Sequence, residues 1–262
     1  MKHCYKLLVA YDGTAYQGWQ AQTPMDKTIA GTLQKSFQSI FKMPMTLRGV
    51  SRTDAGVHAM GQVVRVRTDL DLDPAKIEFA WNNRLPSDII VRQVERVPTA
   101  YRLQEGIVEK VYLYHFFTSR PTPFQSRYGW YVQYPVDLEK LQKCLQLLVG
   151  THDFRSFCTG DDWDDTVRTV NSITVNQFPE KKLVQIVVKG PRFLRYMIRR
   201  IVGACIHVAS VNKLDATEIE ATLLRKNPEH CLPNAPAQGL MLYKIKYQED
   251  QVDASEFVFQ VF

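Results

Sequence analysis

The sequence predicts a mixed α+β (α/β) chain with β-sheet as its spine. Three observations carry that reading. Runs with period-two alternation occur in both halves, at 62–67 and 110–118. Runs with helical periodicity are interspersed with them, at 29–41, 137–149 and 193–209. There is no internal repeat or low-complexity tract, and both halves mix strands and helices. At 262 residues the chain is long enough for one large domain or two modest ones with real cores.

Residues 6–11 read as a buried strand, ended by the turn Tyr11-Asp12-Gly13-Thr14. Gly18-Trp19-Gln20 and a polar loop lead to Thr28. Thr28 caps a helix over 29–41, with Ile29, Leu33, Phe37, Ile40 and Phe41 on one face. Residues 45–50 form a short strand. Beyond Asp54, Ala55-Gly56 lets the chain turn sharply towards strand 62–67, where Val64 and Val66 share one face and Arg65 and Arg67 the other. Asp73-Pro74 starts a helix running to about residue 83. Leu85-Pro86-Ser87-Asp88 ends it, and 89–94 is a strand. The first domain is expected over 1–100 and the second over 101–262.

In 110–118, Tyr112, Tyr114 and Phe116 share one face of a strand. Asp137 caps a helix through 149, with Leu138, Leu141, Leu145 and Leu148 inward. His152 and Asp153 are adjacent, and adjacent side chains rarely face one another, so capping or packing suits them better than a catalytic dyad. The acidic run 161–165 reads as a solvated loop tip. Residues 166–177 and 183–189 form a hairpin. Gly190-Pro191 then opens a helix over 193–209, with Phe193, Leu194, Met197, Ile198, Ile201 and Cys205 on its apolar face. Arg192, Arg195 and Arg199 share an opposite stripe, with Arg200 to one side. Such a stripe is often just a solvated face. Without interleaved acids, however, these guanidiniums repel one another unless an anion lies among them, and phosphate suits that role. A short helix at 215–226 and a closing strand at 240–247 follow. The apolar end of the tail 248–262 reads either as an edge strand or as a subunit-interface cover.

Five scattered cysteines without a CxxC pair argue against a disulfide framework or structural zinc, and for a reducing cytoplasm. No apolar run approaches the roughly 18 residues of a membrane helix, and the polar N-terminus does not read as a signal peptide. A net charge of +6 and a pI near 9.0 fit a polyanionic partner without requiring one.

Arg52, Asp54 and His58 crowd a short loop between two strand-like runs. A carboxylate at a strand tip, held by rigid flanks, suits a catalytic group. In an extended chain Arg52 lies on the same side as Asp54. Contact between them would lower the carboxylate pKa by roughly 1–3 units. Turn capping is the plainer alternative. A metal reading through Asp54 and His58 lacks a third ligand.

The run Arg52-Thr53-Asp54-Ala55-Gly56-Val57-His58-Ala59, followed by Gly61-Gln62-Val63, resembles the signature loop of the TruA family of tRNA pseudouridine synthases. Further similar segments are YDGT with GWQ near the N-terminus, Asn82 with Leu85, Pro86, Asp88 and Ile89, and Thr151-His152-Asp153-Phe154. So are Gly190 with Phe193-Leu194 and Met197-Ile198-Arg199, and Ala235-Pro236 with Gly239-Leu240. The resemblance implies two RNA-recognition-like lobes with antiparallel sheets and outer helices, an active-site cleft between them, and a cytoplasmic homodimer acting on tRNA. It implies catalytic roles for Asp54, Tyr112 and Arg199, with Tyr112 stacking on an extruded uracil. Substrate binding is expected from Arg52, Tyr112, Arg192, Arg195 and Arg200, with no cofactor, metal or membrane involved. The expected targets are uridines of the anticodon stem-loop, roughly positions 38–40.

Three positions depart from the family pattern: Ser51 for Gly, Ala30 for Gln, and Tyr101-Arg102-Leu103-Gln104 for Phe-x-Ala-Arg. Two competing readings remain. One is a non-catalytic tRNA-binding or folding protein. The other is a metal-dependent nuclease built on Asp54, His58 and the 161–165 cluster.

Overall fold

The structure is a computed structural model that describes residues 1–20, 27–159, 165–229 and 233–250. They form a mixed α+β fold with a large mixed sheet and a second sheet of two strands. The chain divides into two compact units. One comprises Met1–Ile107 with Met241–Ile245; the other comprises Val108–Leu240 and the residues from Lys246 on.

In the first unit, β1 (His3–Tyr11) is central. It pairs antiparallel with β3 (His58–Thr68) on one side and β4 (Ile89–Val97) on the other, with Leu7 opposite both Val64 and Val94. Strand β2 (Met45–Gly49) pairs with the far half of β3. Strand β11 (Leu240–Tyr247) runs parallel to its start, Met241 opposite His58. The expectation of purely antiparallel sheets is therefore corrected: β11 returns from the distant end of the chain, and a long connection permits parallel entry.

Helices α1 (Ile29–Phe41) and α2 (Pro74–Asn82) start where the cap chemistry placed them. Thr28 Oγ1 accepts from the Gly31 N–H, and the Asp73 carboxylate accepts from Ala75 and Lys76. They bury Ile29, Leu33, Phe37, Ile77 and Trp81, with the Phe37 and Trp81 rings 5.0 Å apart, edge to face. Trp81 Nε1 donates to the buried Ser36 Oγ at 2.8 Å. Ser36→Ala should orphan that N–H and lower stability by about 1–3 kcal/mol in denaturant titration; an unchanged midpoint would contradict it.

In the second unit, β5 (Ile107–Phe117), β10 (Leu183–Gly190) and β9 (Ser172–Phe178) form an antiparallel ladder. The short β6 (Trp130–Tyr131) lies parallel to β5. Helix α3 (Leu138–Gln146) is capped by Asp137 and buries Leu141, Cys144 and Leu145. The strand expected over 166–177 is broken. Its first part, β8 (Val167–Val170), leaves to pair with β7 (Gly150–Asp153), and Asn171 N–H donates to Lys189 O at the break. Helix α5 (Thr217–Arg225) follows Asp215, whose carboxylate accepts the Thr217 N–H at 2.8 Å.

The helix expected from residue 193 begins four residues late. Observed α4 spans Met197–Ser210, and Tyr196 before it is left-handed, with φ of 62°. Phe193 and Leu194 are apolar for packing rather than for helical periodicity: Leu194 is buried and the Phe193 ring lies against Tyr112. Arg192 and Arg195 therefore stand in the loop before the helix, and only Arg199 and Arg200 lie on it. The tail from residue 251 and the acidic positions 161–164 lie outside the described residues.

Candidate active site

Strand β3 starts at His58, so the Asp54 loop is confined to residues 50–57. Both of its flanks are fixed by hydrogen bonds. Ser51 N–H donates to Gln62 Oε1 at 3.2 Å, and Gln62 Nε2 donates back to Ser51 O at 2.7 Å. Thr53 is buried, its carbonyl accepting from the Trp19 N–H at 3.0 Å and its hydroxyl sharing a 2.8 Å bond with Tyr11. The Val57 N–H donates to Asp54 O at 3.1 Å and closes the turn, while Gly56 takes a φ of 78° and donates to Tyr16 O. Asp54 is half-buried at the tip of this clamped loop.

The N-terminal YDGT and GWQ segments form the clamp. A Cβ on Gly13 would sit 2.0 Å from Val57 O, and one on Gly18 would sit 2.7 Å from Thr53 O. Asp12 is held to the segment after α2, its N–H donating to Asp88 O at 2.9 Å. Tyr16 Oη donates to the Asp88 carboxylate at 2.5 Å, and burial, then that bond, holds the Tyr16 phenol well above its ordinary range. His58 is buried, with Gly13 N–H and an Asp12 carboxylate oxygen each 3.1 Å from Nδ1. Among the described residues no group of three His, Cys, Asp or Glu could hold a metal ion.

Arg52 is exposed and makes no ion pair among the described residues, so its guanidinium is not placed on the Asp54 carboxylate. Two departures from the family pattern lie at the loop's entrance. Gln104 Nε2 donates to Val50 O at 3.0 Å, and among the described residues the buried Ser51 hydroxyl has no hydrogen-bond partner.

The second unit carries the remaining expected residues. Tyr112 lies on β5, buried, with its ring 5.4 Å from that of Phe193 at 84°. Arg199 sits in the first turn of α4. Its Nε donates to Ala235 O at 2.8 Å, and its own carbonyl accepts the Ala235 N–H at 3.0 Å. The guanidinium carbons of Arg195 and Arg199 lie 5.1 and 5.2 Å from the Tyr196 ring centroid. Arg192 and Arg195 are exposed. Arg200 is engaged within its own unit, donating to Pro228 O at 2.8 Å and Ser156 O at 3.4 Å.

His152 and Asp153 bond to different partners. Asp153 accepts from the Arg155 N–H and from Thr166 and pairs with Lys226 at 3.1 Å, while His152 Nε2 lies 3.0 Å from Val149 O. Sequence reading passed over Lys110 and Tyr196. Lys110 was findable, since it stands two residues before Tyr112 on the same strand face. Tyr196 was not, because nothing local marks a left-handed tyrosine.

A family profile described as tRNA pseudouridine synthase matches residues 7–103 and 144–248. The chain is 35% identical over 242 residues to tRNA pseudouridine synthase A of Thermotoga neapolitana, covering 92% of this chain and 98% of that one. It is 36% identical over 246 residues to tRNA pseudouridine synthase A of Bacillus licheniformis, with 92% and 98% covered. To tRNA pseudouridine synthase A 1 of Protochlamydia amoebophila it is 35% identical over 254 residues, with 95% and 98% covered.

Proposed function

The chain belongs to the TruA family of tRNA pseudouridine synthases, and from that premise we propose that it isomerises anticodon stem-loop uridines, about positions 38–40, through Asp54. The observation that carries the role of Asp54 is the clamped loop: hydrogen bonds to backbone atoms hold both flanks of one half-buried carboxylate.

The reaction breaks the C1′–N1 bond, turns the uracil and joins C5 to C1′. C5 loses a proton and N1 gains one, so the change is redox-neutral and consumes nothing. An ionised carboxylate serves in either route, attacking C1′ or removing a sugar proton to give a glycal. Asp54 supplies that carboxylate. The target uridine leaves its stack at a cost of a few kcal/mol. Tyr112 offers a ring for the extruded base, and its T-shaped contact with Phe193 favours a fixed orientation. Arg199, held through Nε to Ala235, serves as the cation of the reaction. Arg192 and Arg195 are exposed and take backbone phosphates. Arg52 serves the same end from the first unit, and Arg200 supports the loops it bonds. The assembly is a homodimer engaging one tRNA.

The test is tritium release from tRNA transcripts labelled at uracil C5, with EDTA present. Release is expected, and mapping of the product would name the uridines. No release despite tight tRNA binding would overturn the reading in favour of a binding protein. Arg192→Ala should weaken tRNA binding and reduce the slope of log K against log salt by about 0.9, one phosphate contact. An unchanged slope would place this side chain away from the RNA.

A further inference from the structure

We propose that Lys110 and Arg192 together form an anion subsite that grips the backbone phosphate of the nucleotide whose base Tyr112 receives. This rests on the pseudouridylation reading above and adds a substrate contact to it. Lys110 is only 9% exposed, unusual for a lysine. Among the described residues its ammonium has no hydrogen bond or ion pair. Burial first, and the nearby Arg192 charge second, push its ammonium down to about 8. Among the described residues the Lys110 ammonium, largely out of water, thus lies near the Arg192 charge with no acid beside it to compensate. The adjacent carboxylate, Glu109, falls on the opposite strand face, where it pairs with Lys246 at 3.3 Å and accepts from Asn171. A buried unpaired ammonium costs stability unless a ligand supplies the anion.

The placement fits a nucleotide. Lys110 and Tyr112 share a face of β5 about 7 Å apart, given a rise near 3.3 Å per residue, and that is comparable to the reach from a base to its own phosphate. Lys110 stands opposite Gly190 in the β10 register, and Val188 opposite Tyr112. A Cβ at Gly190 would meet Phe193 Cζ at 3.0 Å. The ring of Phe193 therefore lies over Gly190 while packing against Tyr112. Arg192 is the residue just before Phe193, so the loop that seats the aromatic pair also brings the second cation to Lys110.

The experiment measures tRNA affinity against KCl concentration and tritium release, for wild type, Lys110→Met, Lys110→Gln, Lys110→Arg, Arg192→Ala and the Lys110→Met/Arg192→Ala double variant. Lys110→Met and Lys110→Gln should each lose about tenfold in affinity with a shallower salt slope. The loss should appear in KM rather than kcat, and the melting temperature of the free protein should not fall. Lys110→Arg should retain most of the affinity. The double variant should lose less than the product of the single losses, because both cations serve one phosphate. An unchanged salt slope in both neutral variants overturns the subsite, as does a loss confined to kcat, which would put Lys110 on the reacting base. A lowered melting temperature with unchanged slope makes Lys110 a packing residue and overturns it too. If wild type releases tritium, any of these results defeats the subsite alone. If wild type releases none, the subsite falls together with the pseudouridylation reading.

Discussion

Asp54→Asn should abolish pseudouridine formation while leaving the protein folded and bound to tRNA. The expected fall in turnover is at least about 10⁴-fold, the upper range for a positioned acid–base group. An amide neither attacks C1′ nor accepts a proton at neutral pH, so no residual route runs through this position. Folding should survive because a set of the bonds fixing the loop does not involve the Asp54 carboxylate. Thr53 O, Asp54 O and the Gly56 N–H are backbone groups, and Thr53 supplies the side-chain bond to Tyr11. Binding should hold or tighten, since a negative charge is removed from a surface that meets a polyanion. Single-turnover assays with tritiated tRNA, alongside filter binding, separate the two effects. Turnover within tenfold of wild type would end the assignment of Asp54 as the essential carboxylate.

The legible parts of this molecule are those whose causes are local. Thr28 and Asp73 announced two helix starts because N-caps act over three residues. The Asp54 loop was legible because Asp-Ala-Gly is turn chemistry in consecutive positions. The start of α4 was misjudged for the opposite reason. Phe193 and Leu194 continue the apolar period of the helix, yet the Phe193 ring packs on Tyr112 of β5, Leu194 is buried before the helix begins, and Tyr196 turns left-handed between them and Met197. Periodicity cannot distinguish a residue that is apolar for its helix from one that is apolar for its neighbour across the fold. The break at Asn171 was hidden similarly. It depends on Lys189 O and on the pull of β7, neither of which is near in sequence. Arg200 donates to carbonyls 28 and 44 residues away, at Pro228 and Ser156, and no local pattern in the sequence announces such bonds.

The largest structural effect expected from a single methyl group is at Gly13. In Gly13→Ala the new Cβ would lie 2.0 Å from Val57 O, 2.7 Å from Val57 C and 3.2 Å from Gly56 C. All three are backbone atoms, so no rotamer change relieves the clash, and either the 11–14 turn or the 54–57 turn must move by an ångström or more. The 11–14 turn is the less free. Asp12 N–H is bonded to Asp88 O, and the Asp12 carboxylate accepts from the Thr14 N–H and hydroxyl at 2.9 and 2.6 Å. The displacement therefore falls on the turn carrying Asp54. A shift of about 1 Å in a reacting group costs on the order of 10²-fold in rate, and overpacking costs roughly 1–3 kcal/mol in stability. Gly13→Ala should show both, a fall in kcat with tRNA affinity nearly kept, and a lowered unfolding midpoint. Gly31→Ala is the control, since its Cβ would meet only Thr28 Oγ1, at 3.0 Å, in the first turn of α1. If Gly13→Ala lost stability but kept full kcat, the N-terminal segment would be a support for the fold and not the element that aims Asp54.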